Sequence, residues 1–276
     1  MKQQNFLVLG LGLLLLLAAC EKTAQAEQSA ALKEEAPAMP DSDADIGAWR
    51  EFRIPPAIDF FKYSEDGPQY DASLGVRISN GDIPVARVWG WSKKGKLAYS
   101  VASTSYGRGD TTLRFIVFDA VDDKNLAEFV VNSIDLFGED VEVYDQEQLY
   151  LSLKDKILSA LKEHEILEST IDFLPFPIKR NNMEYACSLM NIEYHDQSDF
   201  GEQFITKYAV LVETSAGNGR VINTFTPRFS NTRQVYICGY IISPFEERVV
   251  VVLAEEGLKW DGFSYIFSGC HLRVGF

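Results

Sequence analysis

Histidine is scarce in this chain: only three occur, His164, His195 and His271. None stands in a His-Glu-x-x-His arrangement that would hold zinc on one helical face. No Cys-x-x-Cys pair supplies redox chemistry, and no Gly-x-Ser-x-Gly elbow supplies a hydrolase nucleophile. The expectation is a chain without a catalytic centre, cofactor or metal site. Basic residues are also few. Lysine and arginine number 26 against 40 acids, a formal charge of -14. Such a surface repels phosphate backbones, which excludes nucleic acid as a partner. It equally excludes an electrostatic grip on anionic lipid.

Long apolar runs are almost missing too. The exception, Phe6 to Ala19, follows Lys2 and ends in Leu17-Ala18-Ala19-Cys20. It is shorter than the ~20 residues a spanning helix needs. A positive start, an apolar middle and a small-residue exit fit a cleaved leader. Leu17-Ala18-Ala19-Cys20 resembles the lipobox of bacterial lipoproteins. That resemblance implies removal of residues 1–19 and acylation of Cys20, palmitate included. The membrane is then a partner through the lipid on Cys20, and the location is the cell envelope. Glu21, which is not Asp, favours outer-membrane sorting within that family, with the chain facing the periplasm or the surface.

Residues 20–45 contain no aromatic residue and are rich in Ala, Glu, Gln and Ser. They cannot bury enough apolar surface to offset ordering entropy. They read as a flexible acidic tether, reaching roughly 28 Å as a coil. Asp41, Asp43 and Asp45 start like a calcium loop, but the sixth and twelfth positions hold Ile46 and Phe52 where Gly and Glu are required.

The remainder, 46–276, reads as a β-rich globular domain, with halves at 46–142 and 171–276. Met183, Tyr185, Cys187 and Leu189 alternate with polar neighbours. Phe263, Tyr265 and Phe267 do likewise, and a phase slip at Gly269 predicts a β-bulge. Val249 to Leu253 is apolar throughout, as in a strand buried on both faces. Against this pattern, Leu149, Leu153, Ile157 and Leu161 have helical spacing. They predict one long helix over about 145–165, with Asp145 as N-cap and a Tyr144–Leu149 staple. The fold class expected is mainly β with that helix (α+β).

Two segments look alike: Gly90-Trp91-Ser92 through Tyr99, and Gly239-Tyr240-Ile241-Ile242-Ser243 through Val250. Each is a strand, a turn and a strand, with an aromatic after glycine. The first, with Phe115–Asp119 as a further strand, resembles a blade of the TolB-like β-propellers over residues 83–135. Lys93 and Lys94 depart from that family's usual Pro and Asp. The resemblance implies two blade-like antiparallel sheets, bridged by the helix. The layout is also similar to predicted secreted proteins of spirochaetes that have no assigned activity.

Few residues are candidates for a site. Arg108-Gly109-Asp110 resembles the tripeptide that adhesive proteins present to integrins, flanked here by Gly107 and Thr111. Trp89 and Trp91, two apart on one strand, share a face by spacing, and with Trp260 form a candidate aromatic surface. Cys187, Cys238 and Cys270 lie in apolar runs and read as buried thiols. The acid pairs Asp122-Asp123, Glu139-Asp140, Glu246-Glu247 and Glu255-Glu256 read as solvated loops. The function these features support is a membrane-anchored binding or scaffolding module for an unknown protein or small ligand. An Arg-Gly-Asp adhesin and a divergent hydrolase are the alternatives.

Overall fold

The computed structural model describes residues 47–49, 51–64, 66–71, 76–78, 82–105, 108–138, 146–180, 182–197, 202–258 and 261–276. Cys20, the leader, the tether, Asp145 with Tyr144, Glu139-Asp140, Gly107 and Trp260 lie outside these residues. The chain is mainly β. In order run β1 (Gly47–Ala48), β2 (Gln69–Asp71), β3 (Val76–Ile78), β4 (Val85–Trp91), β5 (Lys96–Thr104), β6 (Thr111–Asp119) and β7 (Lys124–Asn132). Three helices follow: α1 (Ser133–Phe137), α2 (Gln146–Ser152) and α3 (Lys154–Glu163). Then come β8 (Leu167–Glu168), β9 (Phe173–Leu174), β10 (Ile178–Arg180), β11 (Met183–Gln197), β12 (Glu202–Thr214), β13 (Gly219–Phe225), β14 (Gln234–Ile242), β15 (Arg248–Glu256) and β16 (Phe263–His271).

Among the described residues, three larger antiparallel sheets result, beside the two-stranded β2–β3 pair. Sheet I has the order β1-β8-β4-β5-β6-β7, sheet II β16-β15-β14-β9 and sheet III β10-β11-β12-β13. They stack with the helices as four layers. Leu149, Leu153, Ile157 and Leu161 pack on Trp89, Leu113 and Phe115 of sheet I. The opposite face of sheet I meets sheet II through Trp91, Tyr99, Phe118, Val250, Val252 and Phe267. Sheet II in turn meets sheet III through Val249, Val251, Leu253, Tyr208 and Val212. Strand β15 is therefore apolar on both faces, and Val249 to Ala254 are each 0% exposed.

The single long helix is corrected to two. Ser152 donates its hydroxyl to the Leu149 carbonyl at 2.7 Å, and Leu153 N–H bonds the Tyr150 carbonyl at 3.1 Å. The turn tightens there, and Leu153, at φ -99° and ψ 0°, stands between the two helices without a side-chain cap. A mid-helix serine competing with the backbone has this effect. Nor do the helices bridge two sheets: α2 and α3 cover the outer face of sheet I. Helix α1 arises from a local cap, since the Asn132 side chain accepts from Ile134 N–H at 2.8 Å and Gly138 ends it.

The two look-alike segments share one device. Gly90 has φ +148° and Gly239 φ +150°. Each sits at a register shift, between β4 and β5 and between β14 and β15. Their missing side chains let a neighbouring backbone approach. A methyl on Gly90 would lie 2.0 Å from the Leu167 carbonyl oxygen, and one on Gly239 2.5 Å from that of Leu174. The segment from Ile166 to Leu174 is thus a strap, pairing with Trp91 of sheet I through β8 and with Tyr240 and Ile241 of sheet II through β9. Ser92 and Ser243 close the following turns, with N–H bonds to Lys96 and Arg248 carbonyls at 2.8 and 2.9 Å.

Two expectations about phase are overturned. The bulge at Gly90 turns Trp89 toward the helices and Trp91 toward sheet II, so they lie on opposite faces. Conversely, the β15–β16 register runs unbroken through Gly269, and no bulge occurs there. Gly269 is glycine because the chain reversal after β6 presses on it: a methyl would lie 1.9 Å from the Ala120 carbonyl oxygen.

Candidate functional site

The sites named from sequence are placed differently from their expected exposure. Trp89 is 1% and Trp91 0% exposed, so no surface is formed by the pair. Trp89 donates its indole N–H to Ser100 Oγ at 3.0 Å, beneath Tyr150 of α2. In the β5–β6 loop, Arg108 is exposed and Gly109 has φ +75°. Asp110 turns inward: its Oδ2 accepts from Asn132 Nδ2 at 2.7 Å, and its Oδ1 is buried. An integrin-type contact would require Asp110 to leave Asn132. Cys238 and Cys270 are buried free thiols, whereas Cys187, expected to be buried too, is a free thiol only half-buried on β11. Burial pushes the Cys187 thiol up to about 12 and that of Cys270 up to about 11. Neither carries appreciable thiolate at neutral pH, and a thiol without thiolate is a poor nucleophile.

The acid pairs have separate fates. Asp122 bonds Lys124 at 2.6 Å on the surface. Glu247 lies 3.6 Å from Arg180 and 3.4 Å from Arg273. Glu255, 0% exposed, accepts from the Tyr208 hydroxyl and the Arg228 N–H, both at 2.8 Å. Burial raises its pKa, and those two bonds oppose the rise.

Asp123 is the hub of the molecule. It occupies the turn between β6 and β7 at φ +51°. Its carboxylate takes Gly269 N–H at 2.5 Å and Ser268 Oγ at 3.1 Å from sheet II, and Asn223 Nδ2 at 3.1 Å from sheet III. Three sheets are thereby joined at one side chain. Burial raises its pKa, and the three bonds work against that rise.

Two cavities flank Asp123. The first, of about 430 Å³, is lined by Arg220, Asn223, Arg248 and His271. Its cations are partly spent on the protein: Arg248 bonds Glu246 at 3.0 Å and the Ala120 carbonyl at 2.9 Å, and Arg220 bonds the Val274 carbonyl at 2.7 Å. His271 is held below its ordinary pKa by burial and then by Arg248, and its Nδ1 accepts from Arg273 N–H at 3.2 Å.

The second cavity, of about 300 Å³, is a groove between sheets I and II at their β6–β7 and β16 rims. Its floor is apolar: Tyr99 stacks on Phe267 with ring centroids 4.0 Å apart, beside Ile116 and Phe118. Its rim carries Arg114, Glu128 and Arg228. Arg114 bonds Glu128 at 2.7 Å. Among the described residues, no hydrogen bond or ion pair reaches the Arg228 guanidinium or the Tyr99 hydroxyl. Burial, and after it the Arg114 guanidinium, lower the Arg228 pKa, while the Glu128 and Glu255 carboxylates act against that fall. Burial, and after it Glu128, raise that of Tyr99, which stays protonated and able to donate. Sequence reading missed this group because its members come from β5, β6, β7 and the β13–β14 connection. The available signal was a charge, Arg114, inside the apolar strand Thr111–Asp119.

No cluster of three or more metal-ligating side chains occurs among the described residues. No protein-family model matches the chain, and no curated protein or solved structure matches it either.

Proposed function

We propose that this chain is a lipid-anchored, extracytoplasmic module that binds a small ligand in the groove between sheets I and II and performs no chemistry on it. The observation that carries the reading is a concave site with an apolar floor and two polar groups on its lining, the Arg228 guanidinium and the Tyr99 hydroxyl, that make no hydrogen bond to the described residues. Apolar walls with a few placed polar groups are the usual make-up of a small-molecule site. The Leu17-Ala18-Ala19-Cys20 lipobox supports acylation at Cys20, and Glu21 supports the outer membrane. Several acyl chains hold firmly where one would not, at about 0.8 kcal/mol per buried methylene. The face-to-face packing of sheets I and II, each with the strand, glycine and turn of the repeat, supports the blade likeness at the level of single sheets.

Binding is tested by screening small organic compounds against the full chain and following hydrogen exchange in β5 and β16. A ligand of this groove slows exchange at Tyr99 and Phe267. A broad screen that leaves both strands unchanged refutes the reading. Anchoring is tested by fractionating cells that express Cys20→Ser: the variant moves to the soluble fraction, and retention in the membrane refutes acylation as the tether.

A further inference from the structure

We infer that the groove between sheets I and II takes an extended, uncharged peptide segment that adds to sheet II as a strand beside β16, an inference that rests on the groove being a ligand site. Sheet II is narrower than sheet I, four strands against six. β16 is its edge, paired with β15 on one side, and Ser264 to Phe267 form one wall of the groove. Two bonds fix the outward direction of its main chain. Phe263 N–H reaches the Asp82 carbonyl at 3.2 Å, and Gly269 N–H reaches the Asp123 carboxylate at 2.5 Å. The register with β15 is unbroken between them, so alternate residues of this stretch share that direction. Phe267 is one of them. Its N–H and C=O point away from β15, and among the described residues nothing bonds to them. Phe267 is only 6% exposed, and main-chain groups in such a place require partners.

The chemistry of the occupant follows. In an antiparallel ladder one residue exchanges both bonds with the residue opposite. Phe267 therefore matches the N–H and C=O of a single residue of an incoming strand. Residues paired in this way send their side chains to the same face. Phe267 faces sheet I, against Tyr99, so its new partner faces sheet I too, where Ile116 and Phe118 of β6 line the groove. An aliphatic side chain suits that wall. The rim has no net charge with which to hold an ion: Arg114 pairs with Glu128 at 2.7 Å, and Glu128 and Glu255 offset Arg228. A neutral main chain needs donors and acceptors instead, and the Arg228 guanidinium and Tyr99 hydroxyl can donate to its carbonyl oxygens. The volume of about 300 Å³ limits the buried part to a few residues. In this mode of recognition the main chain supplies affinity and alternate side chains supply specificity.

The test is calorimetric titration of the full chain with acetyl-Ser-Thr-Val-Thr-Ser-amide, together with hydrogen exchange at the Phe267 amide. The peptide binds and slows that amide. N-methylation of the central valine removes the N–H that the Phe267 carbonyl accepts and weakens binding about tenfold or more. N-methylation of the threonine after it, whose N–H points away from β16, leaves binding as it was. Aspartate in place of the valine weakens binding as well, because it meets the apolar wall. Only the peptide varies, so the fold of the chain is constant throughout. Equal binding of the parent and the valine-methylated peptide, or equal loss from both methylated peptides, overturns main-chain pairing but leaves the groove a ligand site. Failure of the parent peptide to bind, while another compound slows exchange at Tyr99 and Phe267, overturns the peptide class and keeps the site. Failure of every compound to bind or to slow that exchange overturns both. Protection of Phe267 that rises with chain concentration in the absence of peptide assigns the edge to a second copy and overturns the inference.

Discussion

Replacing Gly90 by alanine tests the strap directly. Two costs combine there. A non-glycine residue at φ +148° costs about 1–3 kcal/mol in backbone strain. The new methyl would also lie 2.0 Å from the Leu167 carbonyl oxygen, and forcing atoms into packed space costs about 1–3 kcal/mol more. The sum is about 2–6 kcal/mol, a large part of the 5–15 kcal/mol that typically separates folded from unfolded chains. For a domain of this size each kcal/mol moves the melting temperature by about 2–4 °C, so Gly90→Ala should lower Tm by about 10 °C. Two other glycines separate the costs. Gly109 has φ +75° but no atom within 4 Å of an added methyl, so Gly109→Ala pays only the backbone penalty. Gly269 has an unremarkable φ but the Ala120 carbonyl oxygen at 1.9 Å, so Gly269→Ala reports only the contact. Circular dichroism melts and urea titrations of the three variants give the comparison. If Gly90→Ala melts within about 2 °C of Gly109→Ala, roughly the effect of 1 kcal/mol or less, the carbonyl is not wedged against the glycine, and the strap reasoning fails.

Burial raises the pKa of both Asp123 and Glu255. The folded state therefore holds protons that the unfolded state releases, and stability falls as pH rises from the ordinary carboxylate range through the raised values. Urea unfolding at a series of pH values should show this slope, flattened in Asp123→Asn and Glu255→Gln; an unchanged slope in both variants rejects the assignment. Ser100→Ala strands the Trp89 indole N–H under α2 and should cost about 1–3 kcal/mol in urea unfolding, whereas Ser103→Ala, at an exposed site of the same strand, should cost almost nothing. Cys238 and Cys270 should resist iodoacetamide at pH 8 in the folded chain, read by mass spectrometry; rapid labelling would contradict their burial.

The strands were legible where one face alternates or the whole run is apolar, as in Met183–Leu189 and Val249–Leu253. Period alone identifies these. The likeness of the Gly90 and Gly239 segments was also visible, because a glycine before an aromatic marks a place where a side chain cannot fit. What alternation cannot show is a phase change inside a strand. The Gly90 bulge sent Trp89 and Trp91 to opposite faces, and at Gly269 a close contact mimicked a slip. The helix break at Ser152 depends on one hydroxyl choosing a carbonyl over solvent, which the leucine spacing does not encode. The groove was illegible for a different reason. Tyr99, Arg114, Glu128 and Arg228 are brought together only by the stacking of two sheets, and Arg228 lies over 100 positions from Arg114 in the chain.

The strap and the groove sit on opposite rims of the same pair of sheets. β8 and β9 lie on the β4 and β14 sides, while the groove opens at the β6–β7 and β16 sides. Sheets I and II are therefore bound like the covers of a book, with Ile166–Leu174 as the spine and Tyr99, Phe267 and Arg228 at the fore-edge. The fore-edge is clasped as well, since Asp123 beside the groove holds Ser268 and Gly269 of β16, so a guest must fit the gap between two pinned rims.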